Sequence, residues 1–88
     1  MKAIMLYRPD SESARAVLQY AQEFKRRTGK DVELIDVDSK EGLRLLDLYD
    51  IMQHPTILAV ASDGQLLNTW RGEPLPLIDD VNGYLVEQ

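Results

Sequence analysis

The chain begins with an apolar run typical of a strand buried on both faces of a sheet. Ala3, Ile4, Met5, Leu6 and Tyr7 follow one another without the polar alternation of a strand that has one face in water. Such a strand needs other secondary structure packed on both sides, and helices usually provide it. The run therefore predicts an α/β protein with helices on both faces of its sheet.

Three later segments have the pattern of amphipathic helices. Asp10 and Ser11 are good N-cap residues for a first helix, which Gly29 ends. Ser39 caps a second helix, which Gly42 is expected to weaken. A third helix follows the turn formed by residues 72–76. The side chains predicted to face the core are Ala14, Val17, Leu18, Ala21 and Phe24 in the first helix, Leu43, Leu45, Leu46 and Tyr49 in the second, and Leu77, Ile78, Val81, Tyr84 and Leu85 in the third.

Residues 32–37, 56–61 and 66–70 have the short apolar pattern of strands, and the turn at residues 62–65 joins the last two as a hairpin. A right-handed β-α-β crossover makes the first two strands parallel, and the hairpin adds two more. The predicted fold is α/β in the order β-α-β-α-β-β-α. It has a four-stranded mixed sheet with helices on both faces, in a single domain spanning residues 1–88.

Composition excludes several classes of function. The 88 residues include no cysteine, which excludes thiol catalysis, disulfides and cysteine-ligated metal sites. A net charge of −5 argues against nucleic-acid binding. No apolar run is long enough to cross a bilayer, and no secretory signal is recognisable, so no membrane association and a cytoplasmic location are expected.

Three segments, taken in order, resemble the thioredoxin/glutaredoxin superfamily. The stretch from Tyr7 to Ala14 is similar to the family's aromatic-x-x-x-Cys-x-x-Cys segment, with Ser11 and Ala14 at the cysteine positions. Residues 49–56 look like its Tyr-x-Val-x-x-x-Pro-Thr segment, in which the proline is cis. The hairpin turn and the glycine after the fourth strand look like the corresponding family features. The resemblance covers essentially the whole chain and implies the minimal thioredoxin fold.

The resemblance implies a redox-inactive member, whose vestigial Cys-x-x-Cys positions are Ser11, Glu12, Ser13 and Ala14. A serine hydroxyl is not ionised near neutral pH and cannot take part in thiol–disulfide exchange. Ser11 is expected to be a helix cap rather than a nucleophile, because nothing in the sequence orients His54, the single histidine, as a base. No catalytic residue is therefore predicted.

The resemblance also implies a binding groove formed by Arg8, His54, Pro55, Thr56 and Gly72. If the His54–Pro55 bond is cis, the backbone of His54 can hydrogen-bond to an extended peptide. In the alternative interpretation, Pro55 ends a helix and starts a strand, with no binding role.

The partner expected for this groove is a protein or an extended peptide, and the chain is expected to be a monomer or a weak dimer. Glutathione is a less favoured ligand, since Arg8 could receive a carboxylate but Glu73 and the general acidity oppose an anion. No cofactor is expected, and no metal, because the acidic residues are scattered.

The principal hypothesis is a redox-inactive, thioredoxin-like module that binds a protein or peptide. A similarity to KaiB-type clock proteins, which lack the cysteine pair and bind partners, gives a precedent. The alternative is a thiol-disulfide oxidoreductase or glutaredoxin relative that binds glutathione or a thiol substrate, or a cysteine-free engineered form of an active enzyme. An assembly role through a sheet edge or a helix face is a third possibility.

Overall fold

The computed structural model of the protein describes residues 1–85. It confirms the predicted fold class and the β-α-β-α-β-β-α order. The elements are β1 (Lys2–Tyr7), α1 (Ala14–Thr28), β2 (Val32–Asp36), α2 (Lys40–Leu48), β3 (Thr56–Val60), β4 (Leu66–Arg71) and α3 (Ile78–Asn82). No helix within residues 1–85 combines the length and the apolar character that crossing a membrane requires.

The four strands form one mixed sheet in the order β2-β1-β3-β4. β1 runs parallel to β2 and antiparallel to β3, and β3 runs antiparallel to β4. The two central strands are the apolar ones, and all five residues of β3 are buried. β2 and β4 form the two edges, and each contains more polar residues.

Side chains alternate between two cores, one on each face of the sheet. Met5 and Ile57 point towards α1 and α3, where they pack with Val17 and Phe24. Leu6 and Leu58 point to the other face, which Leu45 of α2 covers. Burial of the apolar run on both faces is the arrangement that the sequence predicts.

Four apolar residues predicted to be buried are exposed. Leu18 of α1 is 45% exposed because it lies over the outer edge of β2, where the sheet ends. Leu77, 72% exposed, precedes α3 in an extended conformation, and Tyr84 follows the end of that helix. Leu43 is 56% exposed because Gly42 and Leu45 form the face of α2 that contacts the sheet.

Gly42 has a packing role that helix propensity does not reveal. A Cβ atom at this position would lie 2.0 Å from the carbonyl oxygen of Asp36. Only a residue without a side chain allows α2 to approach the end of β2 this closely. Gly42 therefore sets the position of α2 against the sheet.

Candidate functional site

The strand register brings the two predicted site segments to the same end of the sheet. Leu6 pairs with Thr56 in the antiparallel β1–β3 ladder. The chain therefore leaves β1 after Tyr7 beside the point where it enters β3. The loop before α1 (residues 8–13) and the loop before β3 (residues 49–55) are thus neighbours.

The loop before α1 contains two consecutive hydrogen-bonded turns, and the helix begins only after them. The amide of Ser11 donates to the carbonyl of Arg8 at 3.1 Å, and the amide of Ala14 donates to the carbonyl of Ser11 at 3.2 Å. The N-cap residue is consequently Ser13, and its side chain makes no capping hydrogen bond. The prediction that Ser11 caps the helix is wrong, because these turns place Ser11 before the helix begins.

The first turn of α1 leaves backbone donors open. Within residues 1–85 the amides of Arg15 and Ala16 have no hydrogen-bond acceptor. An α-helix starts with several N–H groups that its own carbonyls cannot reach, and capping side chains, water or ligands satisfy them. The N-terminus of α1 is therefore open to an external acceptor.

Of the four vestigial Cys-x-x-Cys positions, Ala14 is buried, Ser11 and Ser13 are half-buried, and Glu12 is exposed. The Ser11 hydroxyl donates to the carbonyl of Arg8 at 2.7 Å, and its oxygen lies 3.0 Å from that of Ser13. Neither partner is a base that could remove the Ser11 proton. The contacts at this position are those of a turn residue.

The loop before β3 contains two residues that are buried in the protein and others that are exposed to solvent. Ile51 and Pro55 are buried, whereas His54 is exposed and Met52 is 87% exposed. The His54–Pro55 peptide bond is cis. Neither the N–H nor the C=O of His54 is hydrogen-bonded within the described part of the chain. This loop presents a free segment of backbone next to an exposed thioether.

Thr56, a predicted groove residue, serves the fold with its side chain. It is fully buried, and its hydroxyl donates to the carbonyl of Gln53 at 2.6 Å. The bond ties the loop before β3 to the first residue of the strand. Thr56 therefore stabilises the loop from within the core, and its side chain is not accessible to a ligand.

Gly72 extends the β3–β4 ladder towards the site. Its amide donates to the carbonyl of Pro55 at 2.9 Å, and its φ is +72°. A Cβ atom there would lie 2.7 Å from the side-chain oxygen of Gln53. The left-handed backbone favours glycine, whereas the flexible Gln53 side chain could move away. The amide bond from Gly72 to Pro55 holds the loop before β3 in place.

The charges around the site are mainly acidic. The guanidinium of Arg8 lies 3.6 Å from the carboxylate of Asp38. Asp10, Glu12 and Glu73 are exposed and form no ion pair within residues 1–85. The described chain contains no group of three or more histidine, cysteine, aspartate or glutamate side chains suited to a metal ion.

Comparison with known proteins identifies the fold. No protein-family model matches the sequence, and no curated protein matches it. The structure of thioredoxin 1 from the thermophilic eubacterium Thermosipho africanus TCF52B matches 97% of this chain and 90% of that chain, with a TM-score of 0.66 and 18% sequence identity. This chain has a thioredoxin fold. Because it contains no cysteine, the thioredoxin fold here carries no catalytic thiol.

Sequence reasoning missed two parts of the site. The open amides of Arg15 and Ala16 depend on where the helix begins, and Asp10, Ser11 and Ser13 are all good caps by residue type. The exposure of Met52 has no periodic signal, because the residue lies in a loop. Only the structure shows that these groups lie at the same end of the thioredoxin fold as His54.

Proposed function

We propose that this chain is a redox-inactive, thioredoxin-fold binding module that takes up an extended peptide segment of a partner protein. The observation that carries the proposal is the unpaired backbone of His54, which is an exposed residue. An extended peptide offers both a donor and an acceptor to such a segment, so short β-like pairing satisfies both groups. A cytoplasmic location remains a prediction.

A non-enzymatic role agrees with the chemistry of the site. The chain has no thiol, and the Ser11 hydroxyl contacts only the carbonyl of Arg8 and the hydroxyl of Ser13. The unpaired amides of Arg15 and Ala16 can each donate a hydrogen bond to a carbonyl of a bound peptide. Binding therefore uses the part of the fold that supports thiol chemistry in the superfamily it resembles.

Met52 suits the role of an apolar contact for the peptide. A methionine that is 87% exposed in a loop packs against nothing that would stabilise the fold. Its unbranched thioether adapts to apolar side chains of different shapes. We assign Met52 to a shallow apolar contact beside the His54 backbone.

A peptide fits this site better than glutathione does. Arg8, the cation expected to receive a glutathione carboxylate, is already close to Asp38. Asp10, Glu12 and Glu73 add negative charge to the same region, which opposes an anionic ligand. Free glutathione therefore serves as a competitor in the test rather than as the proposed ligand.

The proposal is tested by selecting binders from a library of random linear peptides displayed on phage. Selected peptides are synthesised and titrated by fluorescence anisotropy into the parent chain and into Met52→Asp and Ser13→Arg variants. Both changes alter half-buried or exposed side chains of the site and leave the two cores intact. Each is expected to weaken peptide binding by about tenfold or more, because it adds a desolvated charge or blocks the α1 N-terminus.

Leu48→Asp is the matched control, because Leu48 is an exposed apolar residue near the β3–β4 hairpin, away from the site. The affinity of the Leu48→Asp variant for the selected peptides is expected to equal that of the parent. Equal peptide affinity of all four chains would contradict the proposal. Displacement of a bound peptide by glutathione at a concentration similar to that of the peptide would also contradict it.

A further inference from the structure

The outer edge of β2 leaves several backbone groups unpaired. The amide of Val37 donates to the carbonyl of Tyr7 at 3.0 Å, which fixes the alternation along the strand. Residues 33 and 35 therefore direct their N–H and C=O groups to β1, and Val32, Leu34 and Asp36 direct theirs outward. No side chain of residues 1–85 caps these three amides.

The opposite edge of the sheet, formed by β4, is partly protected. The bond from Gly72 to Pro55 fixes the β3–β4 alternation and places the amide of Thr69 on the outside of β4. The side-chain oxygen of Asn68 accepts from this amide at 2.8 Å. An irregularity at residues 59 and 60 further distorts the β3–β4 ladder. Bulges and local caps of this kind hinder a strand from joining an edge. β2, which has neither within residues 1–85, is therefore the more open edge.

An apolar cleft lies beside this open edge. It separates α1 from β2, has a volume of about 500 Å³ and is lined by Leu18, Ala21, Val32 and Leu34, with Lys25 and Asp31 at one end. The side chains of Val32 and Leu34 belong to the α1 face of the sheet. A strand added to β2 would cover the cleft as well as the backbone of the edge.

We propose that the occupant of this edge is a second copy of the chain, paired antiparallel to β2 about a two-fold axis at Leu34. Each Leu34 then exchanges both backbone hydrogen bonds with its counterpart. The Asp36 carbonyl already accepts from the amide and hydroxyl of Ser39, at 3.1 and 2.7 Å. The Asp36 amide remains available to the Val32 carbonyl of the second copy, which gives four intermolecular backbone bonds.

Charge complementarity favours a second copy in this register. The N-terminal end of β2 lies beside Lys25 and Lys30, and Asp31 pairs with Lys25 at 3.4 Å, which leaves this end with a net positive charge. The C-terminal end carries Asp36 and Asp38, and Arg8 lies 3.6 Å from Asp38, which leaves that end with a net negative charge. An antiparallel two-fold arrangement places the basic end of one copy against the acidic end of the other, twice. Centred on Leu34, it brings Lys30 of one copy towards Asp38 of the other, each of them two residues beyond an end of the strand. A register centred on Glu33 would instead oppose two glutamates, which is unfavourable.

The test combines sedimentation velocity with charge reversal at the paired positions. The parent is expected to change from monomer to dimer between about 10 μM and about 1 mM, since a five-residue strand supports only weak association. Lys30→Asp or Asp38→Lys alone is expected to weaken the dimer by about tenfold, because each opposes like charges at two symmetric places. Lys30 also donates to the side-chain oxygen of Asn82 at 2.9 Å and to the carbonyl of Leu85 at 3.4 Å, so urea denaturation of each variant is measured first and association is compared among folded chains. The double variant is expected to recover to within about threefold of the parent.

Arg71→Asp and Glu73→Lys make the same changes in net charge at exposed residues near the β4 edge and should leave the dimer unchanged. Amide hydrogen exchange provides a readout in the parent that needs no mutation. The Leu34 and Asp36 amides should exchange more slowly as the protein concentration rises. A parent that stays monomeric at about 1 mM, a double variant that does not recover, or association with no protection of these two amides would overturn the proposal.

Discussion

The N-termini of α1 and α2 differ in what satisfies their first amides. In α2, the side chain of Ser39 accepts from the amide of Gly42 at 3.0 Å, and Glu41 places a negative charge in the first turn. In α1, Ser13 makes no capping bond, and the first turn contains no acidic residue. The first turn of α2 is thus stabilised by a side-chain cap and a favourable charge, whereas the first turn of α1 has neither.

The hydroxyl groups of two tyrosines, one in α1 and one at the end of α2, show the same contrast in hydrogen bonding. Tyr49, just after α2, donates its hydroxyl to the carbonyl of Gly64 at 2.7 Å. The hydroxyl of Tyr20 in α1 is buried and has no hydrogen-bond partner within residues 1–85. The Tyr49 hydroxyl ties the end of α2 to the β3–β4 hairpin, whereas the Tyr20 hydroxyl in α1 is held by packing alone. The two tyrosines therefore differ as the two helix N-termini do: the polar group near α2 is satisfied within the fold and the one in α1 is not.

The largest expected contrast is at the third residue of each helix. Gly42→Ala places a Cβ atom against backbone atoms of Asp36 that cannot move independently, and should cost about 3 kcal/mol of unfolding free energy. Ala16→Gly, at the same position in α1, should cost about 1 kcal/mol through helix propensity alone. Urea denaturation measures both. Equal losses would show that α2 does not depend on this close approach.

A smaller contrast is expected at the two N-cap serines. Ser39→Ala removes the bonds to Gly42 and Asp36 and should lower the urea midpoint by the equivalent of about 1 kcal/mol. Ser13→Ala removes no capping bond and should change stability by less than about 0.5 kcal/mol. A loss at Ser13 as large as that at Ser39 would break the distinction between the two helices.

Removing the hydroxyl of each tyrosine should change the free energy of unfolding by a smaller amount, and in opposite directions for the two residues. Tyr49→Phe loses an exposed hydrogen bond and should cost about 0.5 kcal/mol. Tyr20→Phe removes a buried hydroxyl without a partner and should be neutral or stabilising by up to about 1 kcal/mol. Thermal and urea unfolding of the two variants against the parent would measure the difference. Destabilisation by Tyr20→Phe would mean that the hydroxyl has a partner in solution.

The pH dependence of stability gives an independent test of Tyr20. Burial, and secondarily the charge of Asp80, raises the pKa of its phenol from 10.0 to about 12. As the pH rises from 10 towards 12, the unfolded chain loses a proton that the folded chain keeps, so stability falls over this window. Tyr20→Phe should reduce that fall in urea midpoints measured between about pH 9 and about pH 11.5. Parallel curves for the two chains would contradict the burial of this hydroxyl.

The sequence predicted the sheet and the element order well because they depend on apolar patterns of sufficient length. The run from Ala3 to Tyr7 predicts a central strand, and the structure buries it on both faces. Leu18 was misjudged for a physical reason: helical periodicity identifies an apolar stripe but does not show where the sheet beneath it ends.

The site was less predictable because it depends on the ends of elements. Three residues of good capping type precede α1, and only the turns at Arg8 and Ser11 decide which of them is the cap. The role of Thr56 depends on a bond to Gln53 within a loop that has no regular pattern. Local sequence therefore located the two segments of the site but not the groups that they expose.

The most direct test of the account is an amide NMR titration of the parent with a peptide from the linear library. If the start of α1 and the loop before β3 form one binding site, the amides of Arg15, Ala16 and His54 shift together and saturate with one dissociation constant, because they lie unpaired at the same end of the sheet. The Gly42 amide, already bonded to Ser39, should not shift. Shifts concentrated at Gly42 or along β2, with Arg15, Ala16 and His54 unchanged, would contradict it.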